Sequence, residues 1–195
     1  MLRVSPKETP LESDIERVLI SEVEIGRAID RIAAEVTEAY RGREFTVVSV
    51  LKGSCVFASD LIRRIPIPLE LAFLGVSSYG ARSEPGNLEL QFLPRKSELE
   101  GRSVLVVDDI LDTGRTLQFV RGELEREGAA EVRTCVFLDK PSRRRVPFEP
   151  DWRGFEVEDS FVVGYGLDFG GRYRNLPYVG ALRAEILRGD RIAGR

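Results

Sequence analysis

Three aspartates at the end of an apolar run are the residues of this chain best placed to do chemistry. Residues 106–116 read VVDDILDTGRT, with acids at 108, 109 and 112 and a Thr-Gly-x-Thr turn directly after them. Carboxylates bind divalent cations and accept hydrogen bonds from hydroxyl groups. Small residues ahead of a helix leave backbone N–H groups open to phosphate. Phosphate, hydroxyls and metal in one place indicate a phosphorylated ribose as ligand.

The simpler interpretation of this stretch is an acidic cap on an ordinary helix. One capping acid would be unremarkable, but three acids and a T-G-x-T turn after a buried strand favour a binding site. Ligands of open parallel sheets lie beyond the carboxyl ends of the strands, where these acids are predicted to be. The stretch is not a P-loop, because G-x-x-x-x-G-K-[ST] is absent from the sequence.

The chain contains no histidine. This excludes Ser-His-Asp and Cys-His catalysis and histidine-ligated zinc. Any metal must be held by oxygen, which favours Mg²⁺ or Mn²⁺. Any general base must be a carboxylate, a lysine, a tyrosine or part of the substrate.

Length and composition are those of one globular domain. The chain has 195 residues, is 43% hydrophobic and carries a net charge of -3, which gives no general case for nucleic acid binding. Cys55 and Cys135 lack C-x-x-C spacing and are predicted to be reduced core residues. With neither a signal peptide nor a membrane-length apolar run, we expect a cytoplasmic protein.

Strand and helix patterns alternate along the chain, which predicts an α/β fold with a mostly parallel sheet flanked by helices. The predicted helices are 22–41, a segment from residue 55 through Ile65, and a segment from Leu117 to Gly128. The predicted strands are 45–51, 69–79, 88–93, 103–109, 132–138 and 160–168.

Three polar segments lie between these elements, and the first two are open to two interpretations. Residues 80–87 are either a solvated hairpin loop or a lid over an active site. The arginines at 143–145 are either a solvated face or a phosphate contact. Residues 95–102 are most simply a charged surface connection, and we assign them no function.

The motif VLVVDDILDTGRT resembles the 5-phosphoribosyl pyrophosphate (PRPP) binding motif of type I phosphoribosyltransferases. Five further motifs occur along the chain in the order typical of the hypoxanthine-guanine members, and of the bacterial ones most of all. They are LKGS, SSYG, FLDK, FVVGYGLD and RYRNLPYVGAL. The resemblance covers residues 15–187. It implies a type I phosphoribosyltransferase fold in a single domain, 1–195, with a small hood formed by the N-terminal segment and the C-terminal part.

The resemblance also implies a role for particular residues. Asp112 would be the catalytic acid/base beside purine N7. PRPP and its phosphates would be bound by Lys52, Gly53, Asp108, Asp109, Asp112, Thr113, Gly114, Arg115, Thr116 and Arg174. The purine would meet Lys140 at its 6-oxo group, Phe161 on its face and the Val162 backbone at position 2. Ser78 and Tyr79 would lie on the lid, and metal would be held by Asp108, Asp109 and Asp168.

The implied reaction transfers the phosphoribosyl group of PRPP to N9 of hypoxanthine or guanine. The products would be IMP or GMP and pyrophosphate, with two Mg²⁺ ions per site, or Mn²⁺ in their place. We expect a homodimer or homotetramer with no membrane or nucleic acid partner. Two alternatives stay open: a xanthine-guanine enzyme, and a PRPP-sensing regulator that binds RNA. Asp112 and Lys140 argue against the regulator.

Two positions depart from the pattern of the family. Asp108 stands where many members have glutamate, so its reach toward the ribose hydroxyls is shorter by one methylene. Arg115 replaces the lysine or apolar residue that is usual there. The sequence does not rank hypoxanthine, guanine and xanthine, because the contacts to position 2 are expected to be largely backbone.

Overall fold

The computed structural model describes residues 10–79 and 87–193, which form two β-sheets and the helices around them. The strands are β1 Ile15–Ile20, β2 Phe45–Leu51, β3 Glu70–Tyr79, β4 Asn87–Phe92, β5 Ser103–Leu111, β6 Glu131–Asp139, β7 Trp152–Glu156, β8 Val162–Val163 and β9 Val179–Leu182. The helices are α1 Pro10–Ser13, α2 Glu22–Ala39, α3 Cys55–Ile62, α4 Lys96–Leu99, α5 Arg115–Arg126 and α6 Ala184–Ala193, and a 3₁₀ turn spans Pro141–Arg143.

The larger sheet has the strand order β4-β3-β2-β5-β6-β7. Its strands are parallel except for β4, which is antiparallel to β3. The predicted α/β fold with a mostly parallel sheet is therefore confirmed. Because β2, β5 and β6 run in the same direction, the segments after Leu51, Leu111 and Asp139 meet at one edge of the sheet.

The central strands are buried on both faces, as their continuous apolar sequences predict. In β5, Leu105 and Val107 pack in the core that contains α2 and α3, whereas Val104 and Val106 pack in the core that contains α5. All four side chains are inaccessible to solvent. A strand held on both faces provides a rigid support for the residues at its end.

Helix α2 forms because its apolar residues recur at helical spacing and its start is capped. The Ser21 N–H donates to Glu24 Oε2 at 2.8 Å, and the Glu24 N–H donates back to Ser21 Oγ at 3.4 Å. Ile29, Ile32 and Val36 are buried against the sheet. The predicted helix 22–41 is thus confirmed, and its last helical residue is Ala39.

The smaller sheet is antiparallel, with the order β1-β9-β8. It pairs Ile15 with Leu182 and Val162 with Ala181, so it joins the beginning of the described chain to its C-terminal part. Ile15, Val163 and Leu182 of this sheet pack with Tyr173 and Leu176 in a third buried cluster.

The predicted strand at 160–168 is wrong beyond Val163. Residues 164–166 all have positive φ, including Tyr165 at +50°, and this left-handed backbone turns the chain out of the sheet. The predicted helix through Ile65 ends earlier, at Ile62. Strands β1, β7 and β9 were not predicted, and the segment 95–102, which received no assignment, contains α4.

No helix within the described residues is long and apolar enough to cross a membrane. The predicted lid, 80–87, falls almost entirely outside the described residues. Its flanks are the paired ends of β3 and β4, where Ser78 lies opposite Leu88 and Tyr79 opposite Asn87.

Candidate active site

The acids Asp108 and Asp109 lie near the end of β5. Asp108 is 7% exposed, and its Oδ1 accepts a hydrogen bond of 3.0 Å from the Asp109 backbone N–H. Burial raises the pKa of Asp108 well above its ordinary value, and the neighbouring Asp109 carboxylate raises it further. Burial also raises the pKa of Asp109. Two adjacent buried acids are costly to ionise together, so a cation bound between them would stabilise both charges.

The donor set fits magnesium. Mg²⁺ is usually held by one or two carboxylates together with substrate phosphates, and Asp108 and Asp109 provide such a pair. Within residues 10–79 and 87–193 there is no cluster of three acidic or cysteine side chains that could hold a metal by itself. Asp168, the other predicted metal ligand, lines the same cavity as the pair.

The turn after β5 presents backbone amides to this cavity. Helix α5 begins at Arg115, and the Gln118 N–H donates to the Gly114 carbonyl at 3.0 Å. The amides of residues 114–117 therefore have no acceptor within the helix. Gly114 has a φ of +84°, and a Cβ there would lie 2.9 Å from Val146 Cγ2, so this position requires glycine.

The loop after β2 approaches the acids closely. A Cβ on Gly53 would lie 1.6 Å from Asp109 Oδ2, and a Cβ on Gly166 would lie 2.1 Å from the Gly53 carbonyl oxygen. The Leu51–Lys52 peptide bond is cis. Glycine at 53 and 166 thus lets three segments of backbone meet around the Asp109 carboxylate.

An ion pair between Asp168 and Arg174 closes the far side. Arg174 Nη2 lies 2.7 Å from Asp168 Oδ1, and Arg174 Nη1 donates to the Gly166 carbonyl at 2.6 Å. The second Asp168 oxygen accepts a hydrogen bond of 2.8 Å from the Gly171 N–H. Both side chains are about two-thirds buried, so the guanidinium has a fixed position at the cavity wall.

These groups line one cavity of about 400 Å³. Nine of the ten predicted PRPP-binding residues are in its wall, together with the predicted metal ligand Asp168: Lys52, Gly53, Asp108, Asp109, Asp112, Thr113, Gly114, Thr116 and Arg174. Arg115 does not line the cavity, and its side chain is exposed at the first position of α5. The cavity is wide enough for a small phosphorylated ligand.

The three predicted purine-binding residues do not line this cavity. Lys140 is 7% exposed, and its Nζ donates to the Ser160 carbonyl at 2.7 Å. Burial lowers the pKa of Lys140. Phe161 is 47% exposed and packs edge-on against Phe169, with ring centroids 5.2 Å apart. Val162 is buried in β8.

The backbone links Lys140 to the cavity. Its N–H donates to the carbonyl of Leu111, a residue of the cavity wall, at 2.9 Å. The lysine, the exposed Phe161 ring and the Asp112 turn are therefore fixed relative to one another.

The arginines at 143 and 144 were missed as part of the site. Arg144 Nη1 donates to the Asp112 carbonyl at 2.6 Å, and its Nη2 pairs with the fully buried Asp139. Arg143 Nε lies 2.7 Å from Asp112 Oδ1. The solvated-face interpretation of this run is wrong for Arg144, whose side chain is 13% exposed, whereas Arg143 is 46% exposed and remains on the surface. The available signal was their position directly after β6, the strand next to β5.

The family of the chain follows from comparison with known proteins. The phosphoribosyl transferase domain matches residues 20–170. The chain belongs to the phosphoribosyltransferase family. It is 41% identical over 177 residues to the hypoxanthine-guanine phosphoribosyltransferase of Bacillus subtilis, covering 90% of this chain and 98% of that protein.

Two further relatives agree with this family. The bifunctional protein TilS/HprT of Listeria monocytogenes is 44% identical over 176 residues, and the match covers 90% of this chain but only 27% of that longer protein. A crystal structure of a hypoxanthine phosphoribosyltransferase from Staphylococcus aureus superposes with a TM-score of 0.87 at 37% identity, covering 91% of this chain and 97% of that one. The predicted type I phosphoribosyltransferase fold is therefore confirmed.

Proposed function

We propose that this phosphoribosyltransferase transfers the 5-phosphoribosyl group of PRPP to N9 of hypoxanthine, and of guanine, releasing pyrophosphate and IMP or GMP. The observation that carries the proposal is the single cavity in which the buried acids of β5 meet the amide-rich turn before α5. The hypoxanthine-guanine phosphoribosyltransferases named among the relatives, which align over nine-tenths of the chain, support the choice of base.

The PRPP molecule would be held by three groups of residues. The amides of 114–117 and the hydroxyls of Thr113 and Thr116 would bind the 5′-phosphate, helped by the positive end of the α5 dipole. Asp108 and Asp109 would accept hydrogen bonds from the ribose hydroxyls. Lys52, Gly53 and Arg174 would meet the pyrophosphate, whose charge needs cations.

The purine would be recognised mainly through its 6-oxo group. The Lys140 ammonium can donate but not accept a hydrogen bond, so it favours a 6-oxo over a 6-amino purine. Phe161 would pack on the face of the base, and the Val162 backbone would meet position 2. Because a backbone contact discriminates weakly among substituents, we propose activity on both hypoxanthine and guanine and leave xanthine to the assay.

The chain's residues would assist a displacement at ribose C1. Purine N9 forms the new bond as the bond to pyrophosphate breaks, and positive charge grows on the ribose in the transition state. Asp112 would take or share the N7 proton as N9 becomes nucleophilic. Lys52 and Arg174 would stabilise the charge of the departing pyrophosphate. Fixing both substrates in one cavity removes much of the entropic barrier.

Magnesium belongs to this proposal, with two ions per site or Mn²⁺ in their place. Asp108 and Asp109 would hold the first ion and Asp168 the second, and the ions would neutralise pyrophosphate charge. We further propose that the small β1-β9-β8 sheet is the hood and that Ser78 and Tyr79 lead into a closing lid. A homodimer or homotetramer and a cytoplasmic location stay predictions.

An assay of one purified protein against several bases tests the function. PRPP and Mg²⁺ are supplied with hypoxanthine, guanine, xanthine, adenine or uracil, and nucleotide formation is followed. We expect rapid turnover of hypoxanthine, turnover of guanine, and little product from adenine or uracil. Activity should disappear in excess EDTA. A kcat/KM for adenine equal to that for hypoxanthine, or full activity without divalent metal, would contradict the proposal.

A further inference from the structure

The proposed base, Asp112, has an unusual set of neighbours. Its Oδ1 is buried and lacks an aligned hydrogen bond within the part of the chain that the structure describes. The nearest cation is Arg143, whose Nε lies 2.7 Å from that oxygen. The same guanidinium reaches Asp159, with Nη1 3.1 Å from Asp159 Oδ1. One arginine thus connects the phosphate-binding turn to the loop that precedes Phe161.

The backbone fixes where this arginine stands. The Arg143 N–H donates to the Lys140 carbonyl at 3.1 Å, closing the 3₁₀ turn that follows β6. Lys140 in turn donates its ammonium to the Ser160 carbonyl. The turn therefore places the ammonium at the Ser160 carbonyl and the guanidinium between Asp112 and Asp159. A guanidinium held between two carboxylates is restricted in orientation, because its fork of donors is planar and rigid.

We infer that Arg143 is a positioning residue for Asp112: it holds the Asp112 carboxylate in the orientation in which this acid faces the purine. The inference rests on the proposed function and deepens it. Without Arg143, the Asp112 side chain, 37% exposed, would be free to rotate toward solvent and would meet purine N7 only part of the time. Misplacement of a reacting group by about 1 Å can cost on the order of 100-fold in rate.

A different role for Arg143 would be direct binding of the 5′-phosphate. The two roles make opposite predictions. Substituting a residue that binds the phosphate should weaken PRPP binding. Substituting a positioning residue should slow the chemical step and leave PRPP affinity unchanged. Single-turnover rates separate these effects, since product release often limits kcat.

The test compares Arg143→Gln with Arg145→Gln, which removes the same charge from the same loop at an exposed position. In single turnovers with hypoxanthine and saturating PRPP, we expect Arg143→Gln to slow the reaction roughly 10-fold, and PRPP affinity to stay within about twofold of wild type. Arg143→Lys should recover part of the rate because it keeps the cation, and Arg145→Gln should match wild type.

A double-mutant cycle decides whether Arg143 acts through Asp112. In the Asp112→Asn background, adding Arg143→Gln should cost almost nothing more, because the group that it positions is already lost. Equal losses from Arg143→Gln in both backgrounds would overturn the inference, as would weaker PRPP binding with an unchanged single-turnover rate.

A crystal structure of Arg143→Gln gives a readout independent of activity. The Asp112 carboxylate should leave its position facing the purine side, and an unchanged carboxylate would overturn the inference. A wild-type protein without phosphoribosyl transfer would instead refute the proposed function. If wild type and Arg143→Gln carried out phosphoribosyl transfer at equal single-turnover rates, the positioning role would be refuted and the proposed function would stand.

Discussion

Three aspartates within five positions have different surroundings, and their roles are expected to differ for that reason. Asp108 is buried beside another acid, and both burial and that neighbour favour its neutral form. Asp112 is partly exposed and pairs with Arg143. Two crowded acids are suited to metal and hydroxyl ligands, whereas Asp112 stands apart from that pair at the turn before α5. Residue type alone does not make this distinction.

The first prediction concerns the proton acceptor. Asp112→Asn keeps the shape of the side chain but removes its ability to take a proton, and acid–base assistance is typically worth about 10²–10⁴-fold. We expect the single-turnover rate with hypoxanthine to fall by that factor, with PRPP affinity nearly unchanged because backbone amides hold the phosphate. Glu125→Gln, an acid-to-amide change on the exposed face of α5, serves as the control. A folded Asp112→Asn protein with wild-type rate would show that Asp112 is not the proton acceptor.

The second prediction concerns the base-recognising cation. Lys140→Gln replaces a donor by an amide that both donates and accepts. A hydrogen bond to a charged group contributes about 1.5–3 kcal/mol, so kcat/KM for hypoxanthine should fall roughly 10- to 100-fold while the small activity on adenine falls less. Lys96→Gln, at an exposed position, should leave both unchanged. If kcat/KM fell equally for hypoxanthine and adenine, Lys140 would not distinguish the substituents at position 6 of the purine.

At the scale of elements, the site depends on how β5 ends and α5 begins. The strand carries two acids near its end, and the first amides of the helix have no acceptor within it. The turn between the two elements is three residues long. So short a connection needs one residue in the left-handed region, and Gly114 supplies it at φ +84°. The phosphate-binding geometry is therefore a property of this junction rather than of any single side chain.

The third prediction compares two glycines of this region. Gly114→Ala places a Cβ 2.9 Å from Val146 Cγ2 at a positive φ, and such strain costs about 1–3 kcal/mol. The variant should unfold at lower denaturant concentration and bind PRPP more weakly. Gly122→Ala, inside α5 with no atom within 4 Å of the added Cβ, should instead stabilise the protein by about 0.4–1 kcal/mol. Equal effects at the two positions would contradict the account of the turn.

How far the sequence predicts these elements depends on whether their signal is local. The strand at 103–109 and the helix at 22–41 are confirmed, because a continuous apolar run and a regular helical spacing identify them without reference to the rest of the chain. Strand β1 was not predicted. It exists through pairing with β9, more than 150 residues away, and half of its side chains are exposed.

The residues of the candidate site also differ in whether a local sequence signal predicts them. Asp108, Asp109 and the turn to Thr116 are contiguous, so one motif predicts them and the cavity contains them. Arg143 and Arg144 reach this site only because β6 lies beside β5, a relation that the sequence pattern does not specify residue by residue. Their spacing resembles that of any surface charge run, so the sequence alone leaves the solvated-face and phosphate-contact interpretations both open.

At the scale of the whole molecule, the acids of the candidate active site lower the free energy of unfolding. Most of the buried residues are apolar and contribute to folding, but Asp108 is buried and Asp109 partly buried at positions where their charges are disfavoured. An acid whose pKa is raised on folding binds protons more tightly in the native state. The metal-free protein therefore loses stability as pH rises above the ordinary pKa of 3.8 and through the raised pKa.

The last prediction tests this cost directly. Asp108→Asn removes one charge and keeps an acceptor for the Asp109 N–H. In EDTA at pH 7.5 the variant should have a higher Tm than wild type, and the difference should disappear as pH falls toward 3.8, where the wild-type acid is neutral as well. For a chain of this size, each 1 kcal/mol moves Tm by about 2–4 °C. Glu125→Gln should show no such pH-dependent difference.

Magnesium extends the same experiment. Binding to the ionised pair stabilises the native state by mass action, so millimolar Mg²⁺ should raise the wild-type Tm at pH 7.5, raise it less at pH 5, and leave Asp108→Asn almost unaffected. Scanning calorimetry with and without Mg²⁺ measures the three changes in Tm: wild type at pH 7.5, wild type at pH 5, and Asp108→Asn. An Asp108→Asn protein that is less stable than wild type in EDTA at pH 7.5 would show that the buried acid pair stabilises the fold, and the electrostatic account of the metal site would then be wrong.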